Sequence, residues 1–234
     1  APAGFNFIGA PRDAIVARDL DIEGLGKFLK AVTNIFNLVV VDCGNGTEPW
    51  ALKTLEYATA IFVVATADLI VINQTKRVLA KVQELMFPPE MVQVIINRYS
   101  ASNIINPQLI QKNLNRAVFA AVPDDPANCD GSLAKGVPVT IAAPNTPVVR
   151  AYFDIVRKIK QVNLLDSLAK LKKPTGVSAK VSAAIASMSS SDSALTVVRA
   201  MTCAPIAAWI ATSNICRGIS SRIFSVSSRP RRSA

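Results

Sequence analysis

The chain has 234 residues, half of them hydrophobic, with 26 Lys and Arg against 16 Asp and Glu, a formal net charge of +10 and no His. That length buries one sizeable core, alone or with an appendage. Residues 1–162 carry 16 basic against 14 acidic side chains and residues 163–234 carry 10 against 2, so the first two thirds are not a basic nucleic-acid surface. Cys43, Cys129, Cys203 and Cys216 show no CxxC spacing. With no His present, this argues against a zinc site and a disulfide framework, and suits a reducing cytoplasm. The chain opens on Ala-Pro-Ala without Met and without a signal peptide, and the expectation is a fragment.

Phe5–Gly9 is a short apolar run halted by Ala10-Pro11 and predicts a first strand. From Asp21, the residues Ile22, Leu25, Phe28, Leu29, Val32 and Ile35 recur at three- and four-residue spacing, one face of an amphipathic helix. Leu38–Asp42 follows as a strand. Its branched apolar residues, bounded by Asn37 and by an Asp-x-Gly-x-Gly turn, read as buried on both faces. Glu48–Tyr57 predicts a shorter helix with Trp50 or Leu52, and Leu55, facing inward. Ala60–Thr66 is another wholly apolar strand. Asp68 caps the next helix, whose Ile72, Leu79, Val82 and Met86 keep phase until Pro88-Pro89. Val92–Asn97 then reads as a strand, Pro107–Leu114 as a helix, and Ala117–Val122 as a strand ending at Pro123-Asp124-Asp125. Helices near Asp130–Lys135 and from Thr146 to Ile159 close the regular part.

Strands and helices thus alternate five times, and the strands are continuously hydrophobic. Both features predict an α/β domain over residues 1–162, a doubly wound parallel sheet covered on both faces. Such sheets bind ligands outside the carboxyl ends of their strands, which makes the polar residues there candidates. Asp42 stands at one such end, followed by Gly44 and Gly46, where the backbone can come close. An acid so placed can hold a water of a hydrated Mg²⁺ beside a γ-phosphate, although many strands simply end in an Asp/Gly turn. Asn97-Arg98 ends the fourth strand. An Asn amide can read the edge of an adenine, and Arg can stack on a base or pair with phosphate; alone, such a pair is more often a polar strand end. Pro123 and Asp125 add a third polar terminus to the same edge. Gly136–Val139 reads as a tight turn without chemistry of its own.

The ordered segments FNLVVVDCGNG, AIFVVATADL, VIINRY, VFAAVPDD, KGVPV and TPVVRAYFDIVRKI resemble the MinD/ParA family of deviant-Walker P-loop ATPases, most of all its CpaE/TadZ pilus-assembly branch. The resemblance covers residues 5–162. It implies a Rossmann-like P-loop NTPase fold and a dimerising ATP/Mg²⁺ switch. Asp42 matches the Walker B-like acid that holds Mg²⁺ through water, and Gly44 and Gly46 match the switch II turn. Asn97, Arg98, Pro123 and Asp125 match base-side residues. It also implies a homodimer bridged by ATP, partners among pilus or secretion-assembly proteins, and a cytoplasmic place reaching the inner membrane face.

One departure weighs against these matches. No GxxxxGK[ST] loop occurs, and the nearest string, Gly24-Leu25-Gly26-Lys27, sits inside a helical pattern and precedes Phe28. A phosphate-binding loop needs converging backbone N–H groups and a Lys on the β/γ oxygens, so the chain alone is expected to be inactive. The expectation is the C-terminal two thirds of an ATPase, missing its first βα unit. The competing expectation is a variant without nucleotide that serves as a docking module. GxGxxG is absent after every predicted strand, which argues against a dinucleotide oxidoreductase.

Beyond residue 162 the texture changes. Leu164, Leu165, Leu168 and Leu171 form a stripe beside Lys170, Lys172 and Lys173. Residues 163–173 read either as an amphipathic helix for an anionic membrane or as an ordinary extension packing its leucines on the domain. Residues 174–193 are rich in Ser and Ala, and 194–215 are apolar but interrupted by Arg199 and Pro205, so no membrane span is expected. The basic, Ser/Arg-rich end has no interleaved aromatics to stack bases and is expected to be largely disordered low-complexity sequence.

Overall fold

The structure, a computed structural model, describes residues 5–9, 21–36, 38–43, 48–103, 105–161, 163–171, 174–187, 198–202 and 223–227. Strand β1 (Phe5–Gly9) precedes helix α1 (Ile22–Ile35), β2 (Val39–Asp42), α2 (Pro49–Tyr57), β3 (Ala60–Thr66), α3 (Leu69–Glu84), β4 (Val92–Tyr99), α4 (Pro107–Leu114) and β5 (Val118–Pro123). Helices α5 (Pro126–Ala134), α6 (Val139–Ala142), α7 (Pro147–Gln161), α8 (Leu164–Ala169) and α9 (Val177–Ser187) follow, then strands β6 (Val198–Thr202) and β7 (Ile223–Ser227).

Short polar residues set the helix starts. Asp21 accepts from Glu23 N, Asp68 from Ile70 N and Val71 N, and Asn106 from Leu109 N, each satisfying N–H groups that a helix leaves unbonded. Pro107 and Pro126 occupy the first turn of α4 and α5, where a missing N–H costs nothing. Helix α5 therefore starts at Pro126, earlier than the expected Asp130, because Asp125 caps it. The Gly136–Val139 turn takes its left-handed residue at Gly136 (φ 63°) and runs into the short α6 behind Pro138.

Among the described residues seven strands form one sheet in the order β1-β7-β2-β6-β3-β4-β5. The pairs β3–β4 and β4–β5 are parallel. Strand β6 lies antiparallel to β2 and β3, and β7 antiparallel to β1 and β2. Strands β1 to β5 therefore all run one way, as the doubly wound α/β expectation requires. The two antiparallel insertions come from the tail and were not expected. Pairing between residues this distant in sequence leaves no local pattern, and each insertion is only five residues long.

Both faces of the sheet are covered. Val40 joins the cluster containing α7, α8 and α9 residues, while its neighbours Val39 and Val41 join the cluster under α1. On β4, Ile95 and the pair Val94 and Ile96 divide in the same way, the latter meeting Ile110 of α4. Period-two alternation sends successive side chains to opposite faces, and a strand that is apolar at every position needs cover on both. Each such Val or Ile contributes about 1.5–3 kcal/mol on full burial. Trp50, Leu52 and Leu55 of α2 are all buried, so the helix turns more than one stripe inward.

Past residue 162 the structure chooses between the two readings of residues 163–173 and corrects the expectation for the residues after them. Leu165 and Leu168 are buried in the main core, with Leu164 packed against it, so α8 extends the domain instead of presenting a leucine stripe to a membrane. Helix α9 forms where little regular structure was expected, because Val177, Val181, Ala184 and Ile185 share one helical face and pack on the same core. Among the described residues no helix is long and apolar enough to cross a membrane.

Candidate functional site

Because β2, β3, β4 and β5 run the same way, their carboxyl ends share one edge of the sheet. That edge carries Asp42 on β2, Asp68 after β3, Asn97 and Arg98 on β4, and Pro123, Asp124 and Asp125 at and after β5. Gly44 and Gly46 lie outside the described residues.

The β4–β5 ladder breaks at the point of interest. Ile96 pairs with Ala121 and Tyr99 pairs with Pro123, so two residues of β4, Asn97 and Arg98, oppose the single residue Val122. This is a bulge, and Arg98 takes the left-handed conformation within it, at φ 53°. Bulges re-aim side chains and concentrate beside functional sites. In an unbroken strand two consecutive residues face opposite sides of the sheet. Here Asn97 and Arg98 line the same hollow. The left-handed backbone costs a non-glycine residue roughly 1–2 kcal/mol, and such strain persists only where the surroundings fix it.

The hollow also takes Pro123, Asp124, Asp125, Pro126, Cys129, Val148 and Tyr152. All four base-side candidates of the sequence, Asn97, Arg98, Pro123 and Asp125, are thus brought together. Asn97 is buried and Arg98 exposed. The Arg98 Nε donates to Asp124 Oδ1 at 3.0 Å, and the Asp124 N–H donates to Tyr99 O at 2.9 Å. Asp125 turns elsewhere and caps α5. Its carboxylate accepts from Asn128 N at 3.2 Å and from Asn128 Nδ2 at 2.9 and 3.0 Å. Sequence reasoning missed Asp124, Cys129 and Tyr152. Tyr152 had a signal, since Val148, Val149, Tyr152 and Ile155 repeat at helical spacing and are all buried.

The hollow is shallow and encloses only about 10 Å³, room for about one water and far below the roughly 300–1,000 Å³ of pockets that bury a whole ligand. A ring could lie only across its mouth, with the rest of a ligand along the edge. Asp42, half-buried, ends β2. Three strand positions separate β2 from β4, which at about 4.8 Å each places Asp42 roughly 14 Å from the hollow. Asp42 therefore meets a different part of any shared ligand.

Among the described residues no group of three or more His, Cys, Asp or Glu side chains is placed to hold a metal ion. Mg²⁺ keeps several waters and uses one or two carboxylates together with phosphate oxygens. One strand-end carboxylate such as Asp42 fits an ion brought by a nucleotide better than a free-standing site.

No family model matches the chain. Over 152 residues it is 26% identical to an uncharacterized ATP-binding protein of Methanocaldococcus jannaschii, covering 64% of this chain and 56% of that one. Over 130 residues it is 24% identical to the septum site-determining protein MinD of Thermotoga maritima, covering 53% and 47%. The chain is similar to MinD/ParA-type ATPases. In structure it matches the Pyrococcus furiosus cell division ATPase MinD with a TM-score of 0.54 at 18% identity, over 65% of this chain and 63% of that one. That likeness concerns the P-loop NTPase fold. The chain spans about half the length of the curated relatives it matches.

Proposed function

We propose that this chain is the nucleotide-base half of an ATP-dependent spatial organiser. The observation that carries the reading is the β4 bulge, which turns Asn97 and Arg98 into one hollow with Pro123 and Asp125 at the carboxyl edge of the sheet. The sequence likeness to an ATP-binding protein and to a MinD supports adenine as the base. Asn97 offers an amide for the base edge, Arg98 a planar cation for its face, and Pro123 and Tyr152 apolar walls. Asp42, on the same edge, would hold Mg²⁺ through a water. The ion, when bound, neutralises charge on the β- and γ-phosphates.

Hydrolysis on this reading requires a phosphate-binding loop that this sequence does not contain, and movement of the segment holding Gly44 and Gly46 would release partners. The finer assignment, to placing a pilus or secretion apparatus as an ATP-bridged homodimer of the CpaE/TadZ kind in the cytoplasm, rests on the order of the sequence segments. A second reading, a nucleotide-free docking module, is favoured by one observation: the sequence contains no GxxxxGK[ST]. The test is Asp42→Ala in a protein carrying such a loop. Loss of Mg²⁺-dependent hydrolysis with unchanged unfolding is expected; hydrolysis at the parent rate would overturn the role of Asp42.

A further inference from the structure

We infer that Asp124 is a positioning residue, one that holds the Arg98 guanidinium flat against the face of a purine base lying across the mouth of the hollow; this rests on the nucleotide reading of the edge. The sequence offers two neighbouring acids after β5, and the structure separates their work. Asp125 is turned to Asn128 and the start of α5. Asp124 instead makes two contacts back to β4: its N–H holds Tyr99 O at 2.9 Å, and its carboxylate takes Arg98 Nε at 3.0 Å. Both contacts flank the bulge at Asn97 and Arg98, so one residue fixes the backbone beyond it and the side chain within it.

The choice of Nε matters. A carboxylate bound at Nε lies in the guanidinium plane, so the contact fixes that plane without covering either face, and a planar guanidinium stacks on rings as an ammonium cannot. Arg98 and Asp124 both line the hollow, and their side chains keep 48% and 32% of their surface exposed. A merely stabilising ion pair at that exposure would contribute little. A long Arg on a left-handed bulge residue would otherwise sample many rotamers, and ordering it on binding would weaken the ligand. Asp124 sets that order beforehand.

The experiment titrates the full chain with Mg²⁺ and N-methylanthraniloyl-ATP, displaced by ATP or by GTP. Asp124→Asn is expected to weaken binding about fivefold, equivalent to about 1 kcal/mol, and to narrow the preference between ATP and GTP, with the unfolding midpoint unchanged. In an Arg98→Ala background the same substitution should cost less than about twofold, because Asp124 acts through Arg98. Arg98→Lys, which keeps the charge and loses the plane, should reproduce the fivefold loss by a separate route. Wild-type affinity in Asp124→Asn, an equal loss with and without Arg98, or wild-type affinity in Arg98→Lys would each overturn the positioning role while leaving the nucleotide reading intact. Absence of saturable binding by the wild-type chain would overturn both.

Discussion

Arg98 offers a substitution pair whose difference is set by backbone alone. Arg98→Ala and Arg98→Gly remove the same guanidinium and the same ion pair to Asp124, an exposed contact worth about 0.2–1 kcal/mol. They differ in the bulge. At φ 53°, Ala keeps a left-handed cost of roughly 1–2 kcal/mol that Gly does not carry. Gly in turn loses about 0.5–1 kcal/mol more conformational entropy on folding. The balance leaves Arg98→Gly more stable than Arg98→Ala by up to about 1.5 kcal/mol, with a centre near about 0.75 kcal/mol. For a chain of this size a 1 kcal/mol difference corresponds to about 2–4 °C in Tm. Urea unfolding followed by circular dichroism, with equal slopes for the two variants, measures it directly. Both variants should lose base binding equally. If Arg98→Ala proves as stable as Arg98→Gly, residue 98 is not left-handed in the native protein, and the bulge that joins Asn97 to Arg98 goes with it.

Lys53 is buried between Glu23 at 3.1 Å and Glu56 at 3.3 Å, with Glu56 half-buried and Glu23 exposed. Lys53→Met removes the cation beside the half-buried Glu56 carboxylate and should cost about 1–3 kcal/mol in denaturant unfolding, most of it recovered by adding Glu56→Gln; no recovery would mean the pair is not coupled. Burial pulls the Lys53 pKa down, but hydrogen bonds and charge from Glu23 and Glu56 outweigh it and hold the group above its ordinary 10.5. A raised folded pKa adds stability that is complete below 10.5 and lost as pH rises through the folded value. Wild type should therefore lose more stability than Lys53→Met between neutral pH and the range above 10.5, and parallel losses would contradict the assignment. Asp68→Ala removes the acceptor for Ile70 N at 2.8 Å and Val71 N at 3.2 Å and should cost about 0.5–2 kcal/mol. Leu168→Ala should cost about 2–5 kcal/mol in unfolding without changing sedimentation with anionic vesicles; the reverse pattern would return α8 to a membrane role.

What was legible in the sequence follows from how local its cause is. Val39, Val40 and Val41 declare a strand buried on both faces because no other setting removes three consecutive branched side chains from water. Asn97 could be read as a strand end from its place after VQVII. The bulge could not, since it exists only in the register against β5. The stripe at Leu164, Leu165 and Leu168 showed that an apolar face exists and said nothing of what covers it, and the covering proves to be the domain core. Asp125 lines the hollow and also caps α5, and this second role was not legible because the helix was expected only from Asp130. Strands β6 and β7 had no signal, since their partners lie far away in sequence. The register sets Arg199 of β6 opposite Asp42, a juxtaposition invisible to any window of sequence.

The central claim is that an adenine base seats at the carboxyl end of β4. Backbone amide NMR of the chain during titration with Mg²⁺-ATP tests it most directly. Saturable shifts should concentrate at Asn97, Arg98, Tyr99, Asp124 and Cys129, leave α1 unmoved, and vanish in Asn97→Ala. Saturable shifts elsewhere, with those five residues unmoved, would contradict the site, and no saturable shift at any residue would contradict nucleotide binding by this chain.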